Sequence, residues 1–125
     1  MVKKRSKLNN ILVDRRKYIF ALRTFVLVVL MTAAVFGQAD EKAAAAEKVY
    51  DEARLLTRKG TAESIRAGRE KYQQAAVLYR EAGEKLGEGK SLIYAGNGSL
   101  KLNENPSALD LFGKALIIFR SLGDK

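Results

Sequence analysis

The stretch YQQAAVLYREAGE, residues 72–84, returns forty positions later as FGKALIIFRSLGD, residues 112–124. Tyr72 aligns with Phe112, Ala75 with Ala115, Tyr79 with Phe119, Arg80 with Arg120, Gly83 with Gly123 and Glu84 with Asp124. Aromatic, small, aromatic, Arg, Gly and acid thus recur at one offset, the mark of a structural unit used twice. Ala75 and Ala115 stand three residues after an aromatic and share its helical face. A small side chain there lets a partner helix approach while the ring fills the space beside it. Gly96 does the same on the segment between them, opposite Ala108 and Phe112. The expected packing residues of the repeat are therefore Tyr72, Ala75, Tyr79, Gly96, Ala108, Phe112, Ala115 and Phe119.

Outward from these windows the chain reads as helix. From Glu41 onward the composition turns to Ala, Leu, Glu, Lys and Arg, with one Pro and no Trp in the whole chain. Four helices are expected, over about 41–58, 62–84, 88–102 and 106–122. Thr61 is placed to cap the second. Asn105 is placed to cap the fourth, with Pro106 at its first helical position, where a missing N–H costs nothing. Short linkers predict antiparallel neighbours, hence an all-α fold of helix-turn-helix pairs over residues 40–125.

The glycines of EKLGEGKSLIYAGNGSL, residues 84–100, suggest a phosphate loop at first sight. Gly89, Lys90 and Ser91 supply its second half, but Glu84 occupies the position of the first glycine, and no β-strand pattern precedes it. Gly83, Gly87 and Gly89 read instead as punctuation of a turn, with Gly83 and Gly123 as left-handed helix ends. Gly96 and Gly98 read as sites of close packing. Gly68 has no role in this reading and costs its helix about 1 kcal/mol.

The chain has no Cys and no His. That removes disulfides, thiol nucleophiles, imidazole bases and the common zinc sites. The nearest approach to an acid pair is Glu84 with Glu88, which reads as surface charge. No cofactor, no metal and no enzymatic activity are expected.

The net charge is +9, but residues 1–39 carry +7 of it and the remaining 86 residues only +2. A basic stripe on the folded part, the footprint of nucleic-acid binding, is missing, so no nucleic-acid partner is expected. The basic N-terminus precedes TFVLVVLMTAAVFGQA, residues 24–39, which is free of charge. The apolar core from Phe25 to Phe36 has signal-peptide length and falls short of the ~20 residues of a spanning helix. Val35-Phe36-Gly37 and Gly37-Gln38-Ala39 offer small residues to a peptidase. The alternative is an uncleaved anchor over residues 18–39, interrupted only by Arg23, which can snorkel. Residues 1–39 are thus expected to be a signal peptide or an N-terminal membrane anchor. Both readings place residues 40–125 outside the cytoplasmic membrane, periplasmic or secreted in one case and tethered to the inner membrane in the other.

Leu92, Gly96, Ala108, Phe112 and Ala115 together resemble the tetratricopeptide repeat pattern. The forty-residue period is similar to the longer version in bacterial proteins that carry such repeats before a caspase-like CHAT domain. The resemblance covers about residues 42–125. It departs at Ser99, where the pattern has an aromatic, and near Arg120, where a proline often closes the unit. It implies an α-solenoid fragment of two helix pairs and a role in protein–protein interaction. The peptidase chemistry of such proteins needs the Cys and His that this chain lacks. The resemblance also implies a concave groove for a protein or peptide, lined by the first helix of each pair. Lys90, Ile93, Asn97 and Lys101 would face it, and its carboxylate-gripping version has a basic residue where Ile93 stands.

Two pairs are short for such an array, and about three are usually needed. The last helix carries more apolar residues than one face can hold. The expectation is either a piece of a longer array or completion through self-association or a partner. The expected function is accordingly an exported, non-catalytic interaction module, with a membrane-anchored or self-associating structural element as the alternative.

Overall fold

A computed structural model describes residues 2–123, and among them the chain is all-helical. The helices are α1 (Val2–Arg58), α2 (Ala62–Glu81), α3 (Lys85–Lys101) and α4 (Asn105–Gly123). The chain divides into two compact units, Met1–Gly37 and Gln38–Lys125.

The first unit is the N-terminal part of α1. Every side chain from residue 3 to residue 37 is exposed, and the helix is long and apolar enough to cross a bilayer. A separate helix starting near Glu41 was expected, but α1 has no break there. Gly37 is the sole breaker between residues 2 and 58. Its cost of about 1 kcal/mol is small against the helix-forming run Ala43–Ala46 beside it.

The second unit is built from residues 38–58 of α1 and from α2, α3 and α4, with α3 packed against both α2 and α4. Its core is small: Ala53, Tyr72, Ala76, Leu92, Ala95, Leu111 and Ala115 form the buried cluster. Alanines bring the helix axes close, and the tyrosine supplies the volume. The end of α1 is pinned to α2 by Lys71 donating to Glu52 at 2.8 Å, which holds the Glu52 carboxyl below its usual range.

Helix ends account for most boundary differences. Thr61 caps α2, accepting from the Ser64 amide at 3.1 Å. The second helix stops at Glu81 rather than near Glu84 because Gly83 turns left-handed, at φ 80°. The Gly83 amide then donates to the Arg80 carbonyl at 3.0 Å and the Glu84 amide to the Tyr79 carbonyl at 2.8 Å, a Schellman closure. The third helix ends the same way around Asn103, at φ 58°, with Glu104 donating back to Ser99 at 2.9 Å. Asn105 is not a cap but the first residue of α4. The carbonyl of Glu104 takes the first helical bond, from the Ala108 amide at 3.1 Å, and Pro106 falls one place later. Gly123 is the last helical residue of α4 and is not left-handed.

Gly87 and Gly89 do not punctuate a turn. They lie inside α3, which begins at Lys85. A Cβ on Gly87 would lie 2.5 Å from the Tyr79 ring, and one on Gly89 2.9 Å from the Phe119 ring. Gly96 receives the Phe112 ring in the same manner, 2.7 Å from where its Cβ would stand. Three aromatic side chains of α2 and α4 thus seat on bare backbone of α3. Of the remaining residues expected to pack the repeat, Tyr72, Ala75, Ala108 and Ala115 are buried.

Candidate functional site: the face between α1 and α3

Tyr50 of α1, Tyr72 of α2 and Tyr94 of α3 meet in one aromatic cluster. The Tyr50 ring stands edge-on to Tyr72 at 5.1 Å and to Tyr94 at 5.8 Å, while Tyr72 and Tyr94 stack at 5.3 Å. Tyr72 is buried and Tyr94 is 46 % exposed. The cluster is therefore sealed below and open above, with one aromatic surface facing solvent.

On one side of this floor is a cleft of about 690 Å³. Tyr72 and Tyr94 line it, together with Arg54, Arg58, Asn97 and Lys101. Its charged residues are all basic. Arg58 and Lys101 lie in the last turns of their helices, where a cation suits the helix dipole. Arg54 also pairs with Asp51 at 3.1 Å across an exposed turn, a contact worth little against solvent. On the other side is a cleft of about 310 Å³ with mixed charge, where Glu47, Asp51 and Glu84 accompany Arg54 and Lys90. Arg54 borders both. The face thus grades from a basic, aromatic end to a mixed, more acidic end.

The four expected groove residues do not stay together. Asn97 and Lys101 line the basic cleft and Lys90 lines the mixed one. Ile93 lines neither and packs against the core cluster. From Lys90 the exposed stripe of α3 continues at i+4 rather than i+3, so that Tyr94 takes the place assigned to Ile93 while Asn97 and Lys101 stay. Tyr50, Arg54, Arg58 and Tyr94 were missed. The spacing Tyr94, Asn97, Lys101 runs i, i+3, i+7, a helical face in itself, and was the signal available for Tyr94. Arg54 and Arg58 are one turn apart at the end of α1, but only the packing of α1 beside α3 brings them to Lys101.

Burial pushes the phenols of Tyr50, Tyr72 and Tyr79 above their ordinary value; at Tyr50 the neighbouring Tyr94 and Tyr72 add to it. An unfolded tyrosine titrates near pH 10. Above about pH 10 the unfolded chain loses protons that the folded chain keeps, so stability falls as pH rises. Below that pH both states keep the protons and these groups add no slope. The expected result is a melting temperature that declines from about pH 10 upward. Tyr72→Phe, which removes the hydroxyl, should flatten that decline in parallel melts between pH 8 and 11.

A second concavity, about 510 Å³, lies on the other side of the unit between α2 and α4, with Val77, Ile117, Arg80 and Lys114 on its lining. The outer side of α4 leaves Leu109, Leu116 and Ile117 exposed.

Comparison with known proteins adds no relative: no protein-family model, no curated protein and no solved structure matches the chain.

Proposed function

We propose that residues 38–125 form a non-catalytic interaction module of the tetratricopeptide type, which takes an extended peptide along the face between α1 and α3. The apolar segment of α1 delivers it outside the cytoplasmic membrane, whether as a cleaved signal or as a retained anchor. The observation that carries this reading is the pairing of an open aromatic floor, Tyr94 above Tyr72, with an all-basic rim of Arg54, Arg58 and Lys101. An aromatic surface with one polar edge offers large contact area at low entropic cost. Basic groups beside it select a carboxylate through charge-assisted hydrogen bonds. The peptide class is accordingly one with an acidic group next to an apolar or aromatic side chain.

The test is a peptide panel titrated against the full chain in detergent, varying acidic and aromatic content. Peptides with both features should bind best. Lys101→Glu should weaken them about tenfold or more, since a hydrogen bond to a charged group is worth about 1.5–3 kcal/mol. Equal binding of acidic and basic peptides, or no change in Lys101→Glu, would remove the groove from the account.

The structural alternative draws support from a separate observation, the exposed Leu109, Leu116 and Ile117 of α4. On that reading a second copy covers this face and no other protein is needed. Concentration-dependent dimerisation of the chain, abolished by Leu116→Glu, would favour it. The N-terminus of the native product separates signal from anchor: residues 1–37 retained for an anchor, and about the first 37–39 residues missing for a cleaved signal.

A further inference from the structure

The first unit carries a charge pattern that membrane insertion alone does not use up. Between Lys3 and Lys17 there are seven basic residues and one acid, Asp14. All are exposed, and among the described residues none has a carboxylate within ion-pair distance. Like charges one turn apart, such as Lys3 and Lys7, weaken a helix. The charge is therefore uncompensated within the helix and open to an anionic partner.

Its place along the helix, rather than on one face of it, says where such a partner lies, because at 3.6 residues per turn the seven basic residues point all round α1. Arg5 and Arg16 are eleven residues apart, three helical turns, and so share one side. Leu8 and Leu12 lie beside them on the neighbouring face. Arginine stems can lie along that apolar strip while the guanidinium groups reach outward. The charge-free run that begins at residue 24 follows within one helix. A basic cluster next to a membrane-entering helix meets the headgroup layer first.

We propose that residues 3–17 bind an anionic lipid surface, gathering acidic phospholipids around the point where α1 enters the bilayer. The segment has no aromatic residue on which a base could stack, which sets it apart from single-stranded nucleic-acid sites. The proposal rests on the reading of residues 24–39 as a membrane-inserting segment.

The chain has no cysteine, so Ser6→Cys provides a single labelling position. The labelled full chain is reconstituted into phosphatidylcholine vesicles containing 30 % phosphatidylglycerol. Energy transfer is read to trace acceptor-labelled phosphatidylglycerol and, separately, to acceptor-labelled phosphatidylcholine. The expected local preference for the anionic lipid is about fivefold at low salt, falling towards none at 1 M salt. It should fall to roughly twofold when Lys3, Lys4, Arg5 and Lys7 are changed together to Gln, a residue that keeps the helix, since Arg15, Arg16 and Lys17 remain. Equal transfer to both lipids from an inserted chain overturns the proposal alone. So does an unchanged preference in that variant. A chain that floats with neither these vesicles nor pure phosphatidylcholine overturns the reading of residues 24–39 and the proposal with it.

Discussion

Tyr72→Ala is expected to cost the Gln38–Lys125 unit about 3–5 kcal/mol, the range for emptying a buried aromatic site. The cost is large because the rest of the core is small. Among the buried hydrophobic residues of the described chain alanines predominate, and Tyr72 is the one aromatic among them. Removing its ring takes away contact with both Tyr50 and Tyr94. Neighbouring alanines have no side-chain length with which to close the cavity. A domain of this size has roughly 5–15 kcal/mol in all, so the loss is a large share of it and should show as a clear drop in the denaturation midpoint. Denaturant titration of the full chain in detergent, followed by amide exchange in α2 and α3, measures it. A loss below 1 kcal/mol would mean that the three rings do not form the centre of the unit.

Gly68→Val is expected to cost about 2–3 kcal/mol, although a side chain here should help the helix. Glycine is about 1 kcal/mol worse than alanine in a helix interior, so a free site would gain from substitution. Gly68 is not free. A Cβ there would stand 2.5 Å from the Thr57 Cγ2, 3.0 Å from the Ala53 carbonyl oxygen and 3.2 Å from the Thr57 amide nitrogen. The last two are backbone atoms of α1 and cannot rotate away. The end of α1 must retreat from α2, and overpacking of this kind costs about 1–3 kcal/mol. Gly113 supplies the control, with nothing within 4 Å of its Cβ position. Gly113→Ala should stabilise the unit by about 0.5–1 kcal/mol. Opposite signs for the two glycines in the same denaturation assay are the expected pattern. A gain at both would place α1 further from α2 than described here.

Gly68 also marks the limit of what the sequence made legible. Helix content, the N-cap at Thr61 and the end at Gly83 follow from local chemistry, which residues 60–84 state openly. The small residues Ala75, Ala108 and Ala115 declare themselves through spacing from an aromatic. Gly68 has no such neighbour in its own helix, because its partner is the backbone of α1. Gly87 and Gly89 were misread for a related reason. A glycine pair near a helix start looks like a turn until the rings of Tyr79 and Phe119 are seen resting on it. The binding face shows the same division. Asn97 and Lys101 were visible from helical period alone. Ile93 was drawn into the stripe because i+3 and i+4 both continue a helical face from Lys90, and only the neighbouring helices decide which of the two is covered. Arg54, Arg58 and Tyr50 belong to the face only through the pairing of α1 with α3.

Whether peptide occupies the face between α1 and α3 is read from an amide chemical-shift map of the full chain, titrated with the strongest peptide from the panel. The largest shifts should fall on Arg54, Arg58, Tyr94, Asn97 and Lys101, with α4 unmoved. Shifts centred instead on Leu109, Leu116 and Ile117 would contradict that placement, and the outer face of α4 would become the functional surface.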